Sequence, residues 1–297
     1  MAIELDYGVP TDRSGINVRF GVAKGFFGEE GIDLRVRTVF GGPEIAAAYH
    51  SGDLKIGELG SPPGITAIAH GHRFKIVGSG LQRGVSLFLL LSPDIANWDD
   101  LRGKTLGALS RGSCSYWYLR ELLAQHGLDP DKDVKIRGLG PDYPRQLELF
   151  AADEIAGLLS AEPNGALGEH LGVVRSWGDV FSLAEVAQLQ WVITVANEDF
   201  LVKEPELVRA VLRGALRSSQ YLAEHRDEWI AFAAEHFGVL QSVAAIAIGR
   251  EQPFFQFDGR LDERGLQNAI DLQHYLGAIP ERLPLRRFIA EGFQAAA

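Results

Sequence analysis

Strand-like and helix-like patterns of apolar residues alternate along the first half of the chain. Apolar and polar side chains alternate over residues 3–9, which predicts a strand, and Val18 and Val22 then follow at helical spacing. The same succession continues with three more predicted strands and two more helices, the strands at 32–39, 54–59 and 74–79. This order predicts a mainly parallel sheet with helices on both of its faces.

The second half repeats this organisation before it becomes helical. Residues 86–92 are apolar without polar alternation, which is typical of a strand buried on both faces. Further strands are predicted at 105–109, 134–139, 157–160 and 190–196, with helices at 115–126 and 144–152. From residue 204 onward the pattern is almost entirely helical. The sequence thus predicts an α/β fold with two successive α/β units and a helical C-terminal tail.

Length, composition and charge restrict the class of protein. The 297 residues, 46% hydrophobic and 23% charged, suffice for two lobes or for one large α/β domain. The formal net charge is −10, and the chain has no long basic run. Nucleic acids and anionic membranes require clustered Lys and Arg, so we expect neither of them as a partner.

The single cysteine and the N-terminus give two further expectations. Cys114 is the only cysteine, so no disulfide within the chain and no cysteine-based metal site can form, and we expect no metal and no cofactor. Residues 1–6 lack the basic and apolar regions of a signal peptide. Either Met1 is a native cytoplasmic start, or it replaces a signal peptide that would direct the chain to the periplasm or cell surface. No apolar run reaches the ~20 residues that a membrane span needs.

Six segments, in order along the chain, carry a family resemblance. They are AKGFFGEEGIDL at 23–34, Gly41-Gly42, SGDLKIGELGSPP at 51–63, DLRGKTLG at 100–107, SAEP at 160–163, and the residues from Glu198 to Val208. Together they resemble the sulfonate- and nitrate-binding proteins of ABC importers. That family also includes thiamine-pyrimidine synthases and an aryl-sulfinate desulfinase.

The resemblance implies a periplasmic-binding-protein-like fold of type II, with two α/β lobes joined by two crossover strands. We place these strands near 87–92 and 192–197. The first lobe then comprises residues 1–88 with 198–297, and the second comprises residues 89–197. In such a fold a ligand lies in a cleft, on loops that follow strands and on helix N-termini, where unpaired amides and the helix dipole favour an anion.

Ten residues on five such loops are the candidate ligand contacts. They are Thr11, Asp12, Arg13, Gly41, Gly42, Ser61, Arg111, Ser113, Cys114 and Glu162.

Each of the five loops also has a purely structural interpretation, and the loop at residues 110–115 could be a solvated turn rich in serine. Arg13 could bind an anion through its guanidinium fork, or it could pair with Asp12 at the surface. Gly41 and Gly42 allow close backbone approach to a ligand, but a tight turn needs them equally. The hydroxyl of Ser61 could cap a helix with or without a ligand. Glu162 could accept a hydrogen bond from a ligand or brace the interlobe surface.

The loop at residues 110–115 combines three serines, Arg111 and Cys114 just before a predicted helix. In the transporter relatives the matching loop is rich in Ser and Thr and holds an anionic head group. The helix N-terminus and Arg111 should lower the pKa of Cys114. A nucleophile also needs a base, and no histidine adjoins Cys114 in sequence. The catalytic cysteine of the desulfinase lies in the first loop, where this chain has Thr11, so we interpret Cys114 as a ligand contact or a bystander.

Two functions from different classes remain open. The first is a solute-binding protein that closes around a sulfonate, a carboxylate or a heterocycle and delivers it to an ABC permease as a monomer. The second is a cytoplasmic enzyme on the same fold, of decarboxylase, desulfinase or pyrimidine-synthase type, acting on a small aromatic or heterocyclic acid. The sequence identifies neither the ligand nor the compartment.

Overall fold

A computed structural model of the chain describes residues 2–111 and 113–293. Within these residues the chain forms two compact units. The first unit contains the described residues of 1–85, 187–232 and 254–297, and the second contains those of 86–186 and 233–253. No single helix among the described residues is long and apolar enough to cross a membrane; one pair, Arg226–Phe237 with Gln241–Phe254, reaches that threshold only together and is bent by 112°.

Ten strands form in the described residues. In chain order they are β1 (Ile3–Val9), β2 (Ile32–Thr38), β3 (Ile56–Gly60), β4 (Phe74–Ser79), β5 (Phe88–Leu91), β6 (Thr105–Ala108), β7 (Lys135–Gly138), β8 (Gly157–Ser160), β9 (Arg175–Asp179) and β10 (Val192–Asn197).

Thirteen α-helices form in the same residues. They are α1 (Ile16–Ala23), α2 (Phe26–Glu29), α3 (Gly42–Ser51), α4 (Ser61–Ala69), α5 (Cys114–Gln125), α6 (Tyr143–Ala151), α7 (Asn164–His170), α8 (Val180–Leu183), α9 (Glu198–Lys203), α10 (Pro205–Glu224), α11 (Arg226–Phe237), α12 (Gln241–Glu251) and α13 (Glu263–Tyr275).

The sheet of the first unit has the strand order β2-β1-β3-β10-β4. β1 runs parallel to both β2 and β3, whereas β10 runs antiparallel to β3 and β4. The predicted alternation of β1 places Leu5, Tyr7 and Val9 in a buried cluster, which Val208 and Val211 of α10 also join. The parallel strands therefore end at one common edge, and the loops after them meet there.

The sheet of the second unit has the order β7-β6-β8-β5-β9. β6 is parallel to β7 and to β8, and β5 is antiparallel to β8 and β9. All four residues of β5 are buried, as its unbroken apolar run predicts. A smaller cluster of Ala166, Val243 and Ala247 packs α7 against α12.

The predicted α/β class is confirmed, and several predicted details differ from the structure. β9 was not predicted, because its residues Arg175–Asp179 contain Gly178 and charged side chains in place of a strand pattern. The two predicted crossover strands are β5, in the second sheet, and β10, in the first. The predicted lobes assign the whole C-terminal tail to the first lobe, whereas residues 233–253 form contacts within the second unit. The lobe boundaries stay a prediction.

Candidate functional site

Three predicted loops of the first unit meet at the carboxyl edge of its parallel strands. The hydroxyl of Thr38, at the end of β2, donates to Asp12 Oδ1 at 2.7 Å. Gly42, the first residue of α3, lies against Pro63 of α4, because a Cβ built at Gly42 would be only 2.7 Å from the Cβ of Pro63. The loop after β1 therefore contacts the end of β2, and the segment after β2 contacts α4, which follows β3.

The first of these loops is a tight turn that follows β1. The amide of Ser14 donates to the carbonyl of Thr11 at 3.1 Å, and the two hydroxyls lie 3.0 Å apart. Asp12 is exposed, and the half-buried Arg13 lies in the same turn. Their role as ligand contacts stays a prediction.

Gly41 explains why glycine stands before α3. Its φ of 103° lies in the region that side chains rarely adopt, and the Glu44 carboxylate folds over the position that a Cβ would occupy. The turn itself therefore requires Gly41, and binding of a ligand to Gly41 or Gly42 stays a prediction.

Ser61 does not cap α4 as we expected. Gly60 occupies the N-cap position, and Ser61 is the first residue of the helix. Ser61 is fully buried; its hydroxyl donates to the carbonyl of Gln190, and its amide donates to the carbonyl of Trp191 at 2.7 Å. The hydroxyl proton is therefore used inside the unit, and only the oxygen lone pairs remain for another donor.

Sequence reasoning missed Glu58, three residues before Ser61. It lies in β3 with 3% of its surface exposed, and its Oε1 accepts a hydrogen bond from the Tyr7 hydroxyl at 3.2 Å. Burial raises the pKa of Glu58 to about 7, although the Tyr7 hydroxyl, the Gly15 amide and the charge of Arg19 each act to lower it. The only signal in the sequence was a single carboxylate inside a short, otherwise uncharged strand.

A cavity of about 40 Å³ borders this carboxylate within the first unit. The polar side chains that line it are Asn17, Glu58, Ser79, Thr194, Ser219 and Gln256. They come from α1, β3, β4, β10, α10 and the segment after α12, so the cavity depends on the fold of the whole unit. Gly80 makes room for the carboxyl group, since a Cβ at this position would lie 3.3 Å from the Cδ of Glu58.

In the second unit, Ser113 is the N-cap of α5. Its hydroxyl accepts from the amide of Tyr116 at 3.3 Å and donates to the carbonyl of Ser110 at 2.7 Å. The Ser115 hydroxyl lies 3.0 Å from that of Ser113 and accepts from the amide of Leu109 at 2.9 Å. The serines therefore order the start of the helix, whose first-turn amides favour an anion.

The other two candidates of this loop flank Ser113. Arg111 is exposed, and Cys114 is partly exposed as the first residue of α5. Residue 112 lies outside the described residues. Their contact with a ligand stays a prediction.

Glu162 follows β8 and is tied into a network of charges. Its carboxylate accepts from Arg250 Nη1 at 3.1 Å and from the amide of Ala166 at 2.9 Å. Arg250 also binds Glu169 at 2.5 Å, so one cation joins two carboxylates of the second unit. Glu162 thus braces the second unit internally, and its contact with a ligand stays a prediction.

Two histidines, His70 and His72, follow the C-terminus of α4 and contact neighbouring residues of the first unit. The Nε2 of His70 lies 3.0 Å from the carbonyl of Ala278, and the ring of His72 packs against His50 with centroids 4.8 Å apart. In the described part of the chain, no three side chains of His, Cys, Asp or Glu are grouped so as to hold a metal ion.

Comparisons with known proteins agree on family and fold. The family described as "NMT1/THI5 like" matches residues 16–229. The putative binding protein YtlA of Bacillus subtilis (strain 168) is 24% identical over 278 residues, which are 90% of this chain and 81% of that protein. The taurine-binding periplasmic protein of Escherichia coli (strain K12) is 27% identical over 212 residues, which are 69% of this chain and 62% of that protein.

Solved structures place the fold among periplasmic binding proteins and one enzyme. The periplasmic aliphatic sulphonate-binding protein SsuA from Escherichia coli superimposes with a TM-score of 0.76 at 19% identity, over 98% of this chain and 92% of that chain. The desulfurization enzyme DSZB gives a TM-score of 0.69 at 18% identity, over 98% and 97% of the two chains. The predicted periplasmic-binding-protein-like fold is confirmed.

Proposed function

Because the chain belongs to the NMT1/THI5-like family, we propose that it is a solute-binding protein of an ABC importer that binds one small polar or anionic organic molecule. The similarity to YtlA, which extends over 90% of the chain, carries this proposal. A sulfonate or a carboxylate is the chemistry that we assign, since the relatives bind taurine and aliphatic sulphonates and a carboxylate is an anion of similar hydrogen-bonding character.

The ligand contacts in this proposal are the loops at the carboxyl edges of the two sheets. In the first unit they are the turn at 11–13, Gly41 with Gly42, and Ser61; in the second they are Arg111, Ser113 and Cys114. The N-terminus of α5 supports the second group, because unpaired amides and a serine cap are a natural anion site. Glu162 holds Arg250 and α7 in place at the same edge.

The relatives also support a location and a partner. Both the taurine-binding protein and SsuA are periplasmic proteins, so this chain acts outside the cytoplasm and hands its ligand to a membrane permease. It does so as a monomer.

Binding without chemical change is the property to test. The purified protein is titrated calorimetrically with alkanesulfonates, small carboxylates and pyrimidines, and native mass spectrometry identifies what remains bound. We expect one equivalent of a sulfonate or carboxylate to bind and to be recovered unaltered. Recovery of a desulfonated or decarboxylated product would instead support the alternative function as an enzyme. The desulfurization enzyme DSZB has a similar fold.

The variant Ser113→Ala tests the proposed contact at α5, with Ser182→Ala as a matched control. Ser182 is an exposed serine in the first turn of α8, and its hydroxyl donates to the carbonyl of Asp179. We expect Ser113→Ala alone to weaken anion binding by about tenfold, because loss of the N-cap hydrogen bond loosens the first-turn amides of α5 that would hold the anion.

A further inference from the structure

The cavity beside Glu58 presents acceptors of hydrogen bonds that lack donors. Two buried oxygens, Asn17 Oδ1 and Gln256 Oε1, have no hydrogen-bond partner among the described residues. Both side chains line the cavity together with Glu58. Asn17 is 3% exposed, so solvent outside the protein does not satisfy its oxygen. Unpaired buried acceptors of this kind are rare and call for a donor.

Neighbouring groups fix the orientation of both amides. Asn17 Nδ2 donates to the Ser219 hydroxyl at 2.9 Å, and that hydroxyl gives its own proton to the carbonyl of Ala215 at 2.9 Å. The oxygen of Ser219 can therefore only accept, and Asn17 must turn its NH₂ group toward it. Gln256 Nε2 likewise donates to the Asp258 carboxylate, which accepts only. In both side chains the amide oxygen is therefore the atom left without a hydrogen-bond partner.

The hydroxyls around the cavity give their protons to other groups. Ser79 donates to the carbonyl of Gly80 at 2.8 Å. Tyr7 donates to Glu58 at 3.2 Å, and the Thr194 hydroxyl forms no hydrogen bond with either of the two unpaired oxygens. None of these side chains can supply the Asn17 and Gln256 oxygens. The cavity therefore needs a guest with several N–H or O–H groups and, facing a carboxylate, a positive charge.

We propose that this cavity binds a primary ammonium group carried by the organic ligand, with Glu58 as its anionic partner and the Asn17 and Gln256 oxygens as its further acceptors. This inference rests on the proposed binding function and narrows the ligand to an amino-sulfonate or amino-carboxylate. A water needs roughly 10–15 Å³ of such space, so about 40 Å³ admits one nitrogen and one or two carbons.

A proton leaves as the ammonium enters. Without the ligand, burial raises the pKa of Glu58 to about 7, so a large share of the carboxyl groups carry a proton at neutral pH. An ammonium stabilises the carboxylate, so Glu58 releases its proton to solvent and the cavity stays neutral. The other titratable or charged groups that face Glu58 are Tyr7 from β1, Tyr49 from α3 and Arg19 from α1. Both tyrosines have pKa values raised well above the ordinary range by burial, and so neither titrates in this window.

The first experiment uses methylammonium chloride as the probe. The apparent pKa of Glu58 is followed by carbon-13 NMR of its carboxyl group, with Glu58→Gln used to assign the signal. We expect methylammonium to lower this pKa by about one unit or more, while potassium chloride and tetramethylammonium chloride at equal ionic strength leave it unchanged. An equal effect of all three salts would overturn the inference, since only the primary ammonium both fits and donates.

The second experiment compares ligands that differ only in the amino group. 2-Aminoethanesulfonate is titrated against ethanesulfonate, and 3-aminopropanoate against propanoate, into the wild type, Glu58→Gln and Glu30→Gln. Glu30 is a carboxylate of the same unit that pairs with Arg213 outside the cavity. We expect the amino ligands to bind the wild type and Glu30→Gln at least about tenfold more tightly, and Glu58→Gln to lose this preference.

The two experiments separate the inference from the function. Binding of both ligands in a pair with equal affinity leaves the binding function intact and overturns the ammonium site. If no ligand binds but methylammonium still lowers the pKa of Glu58, the ammonium site stands and the assigned class of ligand is wrong.

Discussion

Glu58 in β3 of the first unit and Glu162 just after β8 of the second unit are both buried, and they are stabilised in opposite ways. Glu162 in the second unit is matched by Arg250 at 3.1 Å and by the amide of Ala166. Glu58 in the first unit receives a tyrosine hydroxyl and a backbone amide, and Arg19 acts on it only through its charge. Among the described residues, no cationic nitrogen lies within 4 Å of the Glu58 carboxylate.

The two carboxyl groups therefore differ in what stabilises them: Glu162 has a cationic partner, whereas Glu58 has a raised pKa of about 7. Removing the cationic partner of a buried carboxylate lowers the stability of the fold, because an uncompensated charge is then left buried. An unpaired buried carboxyl can instead take up a proton, which removes most of the cost. The pairing of Glu162 therefore stabilises the second unit, whereas Glu58 is the carboxyl that we propose as a ligand contact.

Breaking the pair in the second unit should have the largest effect. Arg250→Leu leaves both Glu162 and Glu169 without their cation, and we expect a loss of roughly 2–4 kcal/mol in the free energy of unfolding. The value is set below that of a fully buried pair because the Arg250 side chain is 28% exposed. Urea denaturation followed by circular dichroism measures it.

The double variant Arg250→Leu with Glu162→Gln is the control. Removing the buried charge along with its partner should restore about half of the lost stability. A double variant no more stable than Arg250→Leu would show that Arg250 acts through packing and not through Glu162.

Replacing the unpaired glutamate should change how stability depends on pH. The folded-state pKa of Glu58 lies at about 7, above its ordinary value of 4.5, so its contribution is fully present below pH 4.5 and is lost as the pH rises through 7. The stability of the wild type relative to Glu58→Gln should therefore fall by roughly 2–3 kcal/mol between pH 4.5 and pH 8.

Urea denaturation of both proteins across this pH range checks the sign. Glu30→Gln, which removes a carboxylate outside the cavity, should show no such relative fall around pH 7. A difference between wild type and Glu58→Gln that stays constant from pH 4.5 to pH 8 would contradict the assignment of Glu58 as a titrating group.

A glycine beside each glutamate permits a matched test of packing. A Cβ at Gly165 would lie 2.9 Å from Glu162 Oε1, and a Cβ at Gly80 would lie 3.3 Å from Glu58 Cδ and 2.5 Å from Val192 Cγ1. We expect Gly165→Ala and Gly80→Ala each to lower the free energy of unfolding by about 1–2 kcal/mol. Thermal unfolding measures both.

Only Gly80→Ala should also affect the cavity, because its new methyl group points at Glu58. We expect this variant to weaken the response of the Glu58 pKa to methylammonium, and Gly165→Ala to leave it unchanged. Equal responses in the two variants would mean that Gly80 does not shape the cavity.

The contrast between the two glutamates also shows what the sequence could predict. Apolar alternation placed β1 and the unbroken run of β5 correctly, because both depend on local pattern. Glycines and serines between elements indicated the loops at the strand ends. Glu162 was a candidate because it lies in a family-like segment, yet its partner Arg250 is 88 residues away, and no local pattern links them.

Glu58 and its cavity could not be derived from local patterns at all. The partners of Glu58 come from β1 and from the start of α1, and the cavity is completed by Ser219 of α10 and by Gln256, which lie far along the chain from Glu58. Ser61 was misjudged for the same reason, because its hydrogen-bond acceptor Gln190 is 129 residues distant. Strand order, which creates these contacts, is set by packing of the whole unit.

The smallest effect should come from the one side-chain hydroxyl that donates to Glu58. Tyr7→Phe removes a hydrogen bond that stabilises the ionised carboxylate, so the pKa of Glu58 should rise further, by about one unit. Tyr49→Phe is the matched control, since the Tyr49 hydroxyl is also buried but donates to the carbonyls of Gly8 and Glu58 and not to the carboxyl group. Carbon-13 NMR titration of Glu58 in the two variants distinguishes them. A larger shift with Tyr49→Phe than with Tyr7→Phe would mean that packing, and not the hydrogen bond, sets the charge of Glu58.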